Sequence, residues 1–341
     1  MKTQSAVMAG IGVIALVIAA GIASDLSTET SENKLRVAFF SNIGHAIPIV
    51  GMEKGIFESN LGNTTTIETK LFDSGPQVIE SLFAKSIDLA YVGPGPAING
   101  FLKSEKHDVI ILSGAASGGA SFIVHPNSQI NSVDDFAGKK IAAPQIGNTQ
   151  DVSLRNYLSE NGLKPYEKGG SVVILNISNP DIYTLFTKGD IDAAWVPEPW
   201  ATIFVQDLNG TRLFFEEELW PENKFASVLL IGRQEYVEAN PEVVEKWLES
   251  HQQTANWIND NPKETRITFN EFMQNTMGQS LSDSVVDEAL VNLEITTNSV
   301  NDSIYMFAER ADSLGYLGRG EYSLDGIFYD LPSNESLEEN N

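Results

Sequence analysis

The sequence predicts an α/β protein of two lobes, and three observations lead there. Short apolar runs of strand length alternate with helix-length amphipathic segments, the rhythm of parallel βαβ units. At 341 residues the chain is longer than one hydrophobic core usually serves. A late apolar run, Ala226–Ile231 (ASVLLI), has the character of a buried strand bringing the chain back after a second lobe has been built.

Taken in order, Leu35–Phe40 (LRVAFF) is the first strand, Ile67–Phe72 the second, Ile87–Val92 the third and Val109–Leu112 the fourth. Helices are expected between them at Ile49–Asn60, Pro76–Lys85 and Pro96–Lys103. Pro76 and Pro96 suit the first helical position, where a missing N–H costs nothing. The Gly/Ala/Ser stretch Ser113–Ser121 breaks the rhythm, marks the crossover between lobes, and leads into a strand at Phe122–His125. The second lobe repeats the pattern with strands at Lys140–Ala143, Ser171–Leu175 and Ile191–Val196. Its helices run Thr149–Asn161, closed by Gly162, and Pro180–Lys188, closed by Gly189. Pro197-Glu198-Pro199-Trp200 opens a further helix. The return strand Ala226–Ile231 is expected beside Phe122–Val124, followed by helices at Pro241–Asp260, Pro262–Met273, Asp283–Leu293 and Ser303–Leu314. Lobe one therefore takes residues 35–119 and 229–330, and lobe two residues 120–228.

Flanking segments decide the compartment. Ala6–Ala23 carries no charge and follows Lys2, which reads as a signal peptide or an N-terminal membrane anchor over residues 1–24. With no cysteine for lipid attachment, an uncleaved anchor is favoured over cleavage before Ser24. Residues 25–34 form a polar tether and 331–341 an acidic tail. The expected location is extracytoplasmic, with the membrane touched through the N-terminal segment only. Asn-X-Ser/Thr sequons stand at Asn63, Asn176, Asn209, Asn301 and Asn334.

Zero cysteines exclude disulfides, thiolate metal sites and cysteine nucleophiles. Lys plus Arg total 22 against 46 for Asp plus Glu, a formal charge of −24. That field repels nucleic acid and anionic lipid headgroups, and neither is expected as a partner. An anionic ligand would have to be captured by local N–H dipoles, because screening over ~8–10 Å removes most of the distant repulsion.

Four turns fall at C-terminal strand ends, where open α/β sheets hold small ligands. They are Ser41-Asn42-Ile43-Gly44-His45, Asp73-Ser74-Gly75, Gly93-Pro94-Gly95-Pro96, and Gly147-Asn148-Thr149-Gln150-Asp151, the last assisted by Trp195 and Glu198. Facing edges of two lobes make a cleft. Ordinary helix capping is the competing account of Ser74, Asn148 and Thr149 taken singly; their convergence on one cleft favours the site. For His45 the alternative is a solvated loop histidine. Of Trp195 and Trp200, one is expected to be cleft wall and the other core, with Trp195 the better placed. Glu198 is read as a site residue over a helix-terminal charge, Asp151 as structural.

Enzymatic readings lack their residues. His45, His107, His125 and His251 are far apart, no metal-binding spacing exists, and there is no Gly-x-Ser-x-Gly elbow or phosphate-cradling Gly-Lys-Ser/Thr. No catalytic residue, metal or cofactor is expected.

The chain resembles the solute-binding proteins of ABC importers for nitrate, alkanesulfonates, taurine and bicarbonate, over roughly Leu35–Leu317. The pieces that carry the resemblance are Asp73-Ser74-Gly75, Gly118-Gly119-Ala120-Ser121, DFAGKKIAAPQIGNTQDVSLRNYL, Gly189–Trp195 and Glu198-Pro199-Trp200-Ala201. The resemblance implies a type II periplasmic-binding-protein fold: two α/β lobes, a two-strand hinge and closure on one ligand. It also implies an anion held by backbone amides and neutral side chains, with Gly119 and Gln145 joining the residues above, and a monomer that delivers the ligand to an ABC permease and its ATPase. An alkanesulfonate or taurine is the expected ligand, ahead of nitrate or bicarbonate, with Trp195 lining the apolar side. Related proteins of this fold bind a thiamin-precursor pyrimidine, and a eukaryotic branch synthesises it with a cysteine-rich stretch that this chain lacks. Pyrimidine binding remains the alternative, since Trp195 would stack on a flat ring as readily as cover an alkyl tail, and with it a pyrimidine synthase of the same fold, for which His45 is the loop histidine to test. A sensor ectodomain is a third reading.

Overall fold

The computed structural model describes residues 33–104, 108–318 and 320–330. The N-terminal apolar segment, nearly all of the tether, the acidic tail, Asn334 and His107 lie outside the described residues. Among the described residues no helix is long and apolar enough to cross a membrane.

Two sheets organise the chain. The first contains β1 (Asn33–Phe39), β2 (Thr65–Leu71), β3 (Leu89–Val92), β4 (Val109–Gly118), β10 (Ala226–Arg233) and β11 (Leu293–Ile295), in the order β11-β4-β10-β3-β1-β2. The second contains β5 (Ala120–Val124), β6 (Lys140–Ala143), β7 (Val173–Asn176), β8 (Ala193–Pro197) and β9 (Thr211–Phe215), in the order β7-β6-β8-β5-β9. Strand β1 pairs in parallel with β2 and β3, and β6 with β7 and β8. The strands that carry the chain between sheets, β5 and β10, run antiparallel to their neighbours.

Helices α1 (Ala46–Glu53), α2 (Ile56–Leu61), α3 (Gly75–Phe83) and α4 (Pro94–Lys103) alternate with the first strands. In the second half come α5 (Thr149–Glu160), α6 (Asn179–Lys188) and α7 (Trp200–Gln206). The return to the first sheet is followed by α8 (Gln234–Ala239), α9 (Pro241–Asp260), α10 (Pro262–Met277), α11 (Asp283–Val291) and α12 (Asn301–Ser313). Each sheet is covered on both faces, which is why its strands read as continuous apolar runs. Leu35, Val37 and Phe39 face one layer with Phe57 and Trp247, while Ala38 between them faces another with Phe101 and Phe307. The second sheet likewise splits into a Phe122–Trp195–Phe136 face and an Ile123–Val196–Phe204 face.

Several expectations need correction. The segment Ile49–Asn60 is two helices, the first ending at Glu53, because Gly55 between them sits at φ 66° as the N-cap of the second. The fourth strand does not end at Leu112: β4 runs on into the Gly/Ala/Ser stretch as far as Gly118. Its small residues are needed, since a Cβ on Gly114 would lie 2.0 Å from the Asn298 carbonyl oxygen. The return strand β10 pairs with β3 and β4, not with Phe122–Val124, so Ala226–Val228 belong to the first sheet. Strands β9 and β11, both short, had no sequence counterpart. The chain leaves the first sheet at Gly118–Gly119, both at positive φ (72° and 74°), and a Cβ on Gly119 would strike Leu293 at 2.2 Å.

Candidate functional site

A cleft of about 490 Å³ lies between the two sheets. Its walls come from the residues that follow six parallel strands. Phe40, Phe72 and Gly93 follow β1, β2 and β3; Pro144, Ser178 and Pro197 stand at the ends of β6, β7 and β8. Gly118, Gly119 and Ala120, with Ser227 and Val228, line it where the chain crosses between sheets. This is the position at which α/β sheets present helix N-termini to a ligand.

Helix α5 supplies the richest set of donors. The amides of Thr149, Gln150 and Asp151 have no partner within the helix, as at any helix start. Asn148 occupies the N-cap position in extended conformation, yet its side chain makes no capping hydrogen bond. The same holds across the cleft at α3: Ser74 is the N-cap and makes no side-chain cap bond, while Gly75 and Gln77 carry the free amides. In α4, Pro94 and Pro96 lack N–H groups, leaving Gly95 as the first-turn donor. By contrast α6 satisfies itself, with the Ser178 hydroxyl accepting from the Asp181 amide. Ordinary capping therefore does not account for Ser74 and Asn148.

Close approach explains the glycines of the third turn. A Cβ on Gly95 would lie 2.8 Å from the Gly147 carbonyl oxygen, and one on Gly93 would lie 2.9 Å from Thr149 Oγ1. The two halves thus meet backbone to backbone beside the ligand space.

Of the residues picked from sequence, Asn42, Gly44, His45, Gly75, Gly119, Gln145, Asn148, Thr149, Gln150 and Glu198 line the cleft. Ser74 and Gly95 sit just behind its wall rather than lining it. Trp195 is a correction. It is fully buried, packs edge-on against Phe122, Tyr157 and Phe214, and donates Nε1–H to Glu216 Oε2 at 2.7 Å. Strand β8 is covered on both faces, and the alternation of side chains turns Trp195 into the core; Trp200, at the start of α7, lines the cleft instead. Among the described residues the lining also includes Phe40, Phe72, Pro180, Met277 and Leu293, an apolar wall that the sequence pattern did not single out. Ser227 Oγ and Asn179 Oδ1 are buried without a protein partner and belong to residues that line the cleft.

His45 is not a solvated loop residue. It is 2 % exposed, its ring lies 4.6 Å from that of Phe40, and burial lowers its pKa to about 3. Nδ1 accepts the Phe40 amide at 3.4 Å, which places the proton of the neutral ring on Nε2. His45 is therefore a neutral donor at physiological pH. Asn42 Oδ1 accepts from the Gly44 amide at 2.8 Å and fixes the first turn. Glu198 is spent structurally: Oε1 accepts from Asn292 at 2.8 Å and Arg212 at 3.2 Å, and Oε2 from the Thr202 amide at 3.1 Å. Burial raises its pKa against those donors. Among the described residues the lining contains no lysine or arginine; its charged members are Asp73 and Glu198. No cluster of metal-ligating side chains occurs among the described residues.

The fold and its cleft define a periplasmic-binding-protein architecture: two α/β lobes joined by crossing strands around a ligand space. Residues 28–271 match the NMT1-like family, and the chain belongs to it. The taurine-binding periplasmic protein of Escherichia coli (strain K12) is 27% identical over 185 residues, 54% of this chain and 55% of that one. Among solved structures, the alkanesulfonate-binding protein SsuA of Xanthomonas axonopodis pv. citri, bound to MOPS, superposes with a TM-score of 0.70 at 19% identity. That likeness covers 84% of this chain and 94% of the other. The periplasmic nitrate-binding protein NrtA of Synechocystis PCC 6803 also gives 0.70, at 15% identity, over 86% and 84% of the two chains.

Proposed function

We propose that this chain is an extracytoplasmic solute-binding protein that captures a small oxyanion, an alkanesulfonate or taurine foremost, and delivers it to an ABC permease. The observation that carries this reading is the pair of helix N-termini, α3 and α5, left without side-chain caps on opposite walls of one cleft. Each helix end concentrates about half a positive charge, and hydrogen bonds from its amides to an anion contribute roughly 1.5–3 kcal/mol apiece. Such short-range donors work despite the formal charge of −24. Trp200, Phe40 and Met277 suit a ligand with an apolar tail. The role is binding and transfer, not chemistry: His45 and Glu198, the titratable groups buried at the cleft, are respectively neutral and fully hydrogen-bonded.

Function follows by population shift. A ligand that touches α3 and α5 together stabilises the closed arrangement of the lobes, which a permease can recognise. Titration calorimetry against taurine, ethanesulfonate, nitrate and bicarbonate tests the reading. Saturable one-to-one binding of a sulfonate supports it, and no heat from any of the four anions overturns it.

A further inference from the structure

Behind the ligand-facing turn of the second lobe lies a carboxylate that the binding reading does not use. Asp151, in the first turn of α5, is fully buried. Its Oδ2 accepts from the Gly147 amide at 3.0 Å and from the Tyr316 hydroxyl at 2.7 Å. Its Oδ1 accepts from Arg155 Nε and Asn176 Nδ2 at 2.7 and 2.8 Å. Asn176 also donates to the Pro144 carbonyl at 3.3 Å, so the turn from Pro144 to Asn148 is held from behind at both ends. The half-buried side chain of this sequon is thereby engaged in hydrogen bonds through both its oxygen and its nitrogen.

A negative charge in the first turn competes with an anionic ligand for the helix dipole. Arg155 offsets that charge, which makes Asp151 costly as a ligand group but well suited to a positioning one. Tyr316 comes from the other lobe. It follows α12, its amide bonds to the Ala311 carbonyl at 2.9 Å, and it packs on the core of the first sheet together with Leu314 and Leu317.

We propose that Asp151 and Tyr316 are positioning residues, forming the contact by which the first lobe holds the Pro144–Asn148 turn in ligand-ready shape. This rests on the oxyanion reading of the cleft, but its consequences appear without ligand. Breaking the contact leaves the carboxylate that holds Gly147 without its anchor on the first lobe and lets the lobes separate more widely.

The test compares the wild type with Tyr316→Phe, which removes one hydroxyl, and with Asp151→Asn. Hydrogen exchange is read for the segment 144–150. Lobe separation is read by electron-spin distances between labels at Leu71→Cys and Tyr166→Cys, exposed positions on opposite lobes of a chain with no native cysteine. Asp151→Asn is expected to speed exchange at Gly147 about ten- to a hundred-fold, the worth of one charge-assisted hydrogen bond; Tyr316→Phe, which leaves the Gly147–Asp151 bond itself in place, speeds it by less; and both lengthen the ligand-free distance. The double variant should go no further than Asp151→Asn alone. Unchanged exchange and distance, or acceleration spread evenly over the chain with a lower melting temperature, overturns the proposal. Since neither readout needs a ligand, a protein silent towards every anion in calorimetry would still decide it.

Discussion

Replacing Asn148 with aspartate separates anion binding from helix stability more cleanly than any deletion. The side chain already stands at the N-cap of α5, with φ −75° and ψ 165°, and makes no capping bond. A carboxylate there interacts favourably with the free amides of the first turn and the helix dipole, a gain of about 0.3–1 kcal/mol. In a chain of this size that corresponds to a melting temperature higher by roughly 0.5–1.5 °C. On the proposed reading the same carboxylate occupies the seat of the ligand and repels it. At about 4 Å, two unit charges cost ~1 kcal/mol in bulk water and ~4 kcal/mol at the dielectric near a protein surface. Affinity for ethanesulfonate should therefore fall about five-fold at least and up to about a thousand-fold, while the fold gains stability. Calorimetric titration and differential scanning calorimetry on one preparation read both. Unaltered affinity alongside a higher melting temperature would mean that the ligand does not use the α5 amides.

Other consequences are equally direct. Trp200→Ala should weaken ethanesulfonate or longer alkanesulfonates about tenfold through lost apolar contact and leave nitrate nearly unaffected; an equal loss for both would place the tryptophan away from the tail. Gly95→Ala inserts a methyl 2.8 Å from the Gly147 carbonyl oxygen and 3.1 Å from Phe307, so it should hold the halves apart and lower affinity with little change in the far-ultraviolet circular dichroism. His45 and His251 are held neutral in the fold, with pKa values lowered to about 3 and about 4 by burial. The unfolded chain takes up those protons first, so their contribution to stability is intact above about pH 6.5 and is lost as pH falls towards 4 and 3. Ligand affinity should stay flat between about pH 5 and 8, because the His45 donor does not titrate there; a step near pH 6.5 would contradict that. Glu216 has the opposite sense. Its pKa is raised to about 7 by burial, so stability is lost as pH rises from about 4.5 through 7, and Glu216→Gln should gain on the wild type most at alkaline pH in thermal melts.

Much of this architecture was legible because its signals are local. The strand–turn–helix units around Lys140–Gln150 and Ile191–Trp200 combine a short apolar run, a polar turn and a helix start, and they fold that way. What stayed hidden depends on partners distant in sequence. By composition Ser113–Gly118 breaks the strand rhythm, but its small side chains are what let the Asn298 segment and β11 lie against β4. The neighbours of β10 follow from sheet order, which no run of six residues encodes.

The tryptophans show the same limit at the site. In a strand buried on both faces, the period of two does not say which face meets the ligand, and Trp195 went to the core with Glu216 as its acceptor. The apolar wall of Phe40, Met277 and Leu293 is assembled from three separate regions of chain, each ordinary by itself. Asn148 and Ser74 were ambiguous for a different reason: cap and ligand donor have one sequence signature, and the missing cap bonds are what favour the second under the proposed function.

The most direct measurement is a crystal structure of the protein with ethanesulfonate, read at the sulfonate oxygens. They should lie within about 2.7–3.2 Å of amides in the first turns of both α3 and α5, with the alkyl end towards Trp200. A sulfonate touching one lobe only, or paired with a basic side chain elsewhere while those amides stay solvated, would contradict the claim that uncapped helix ends make this a receptor for anions.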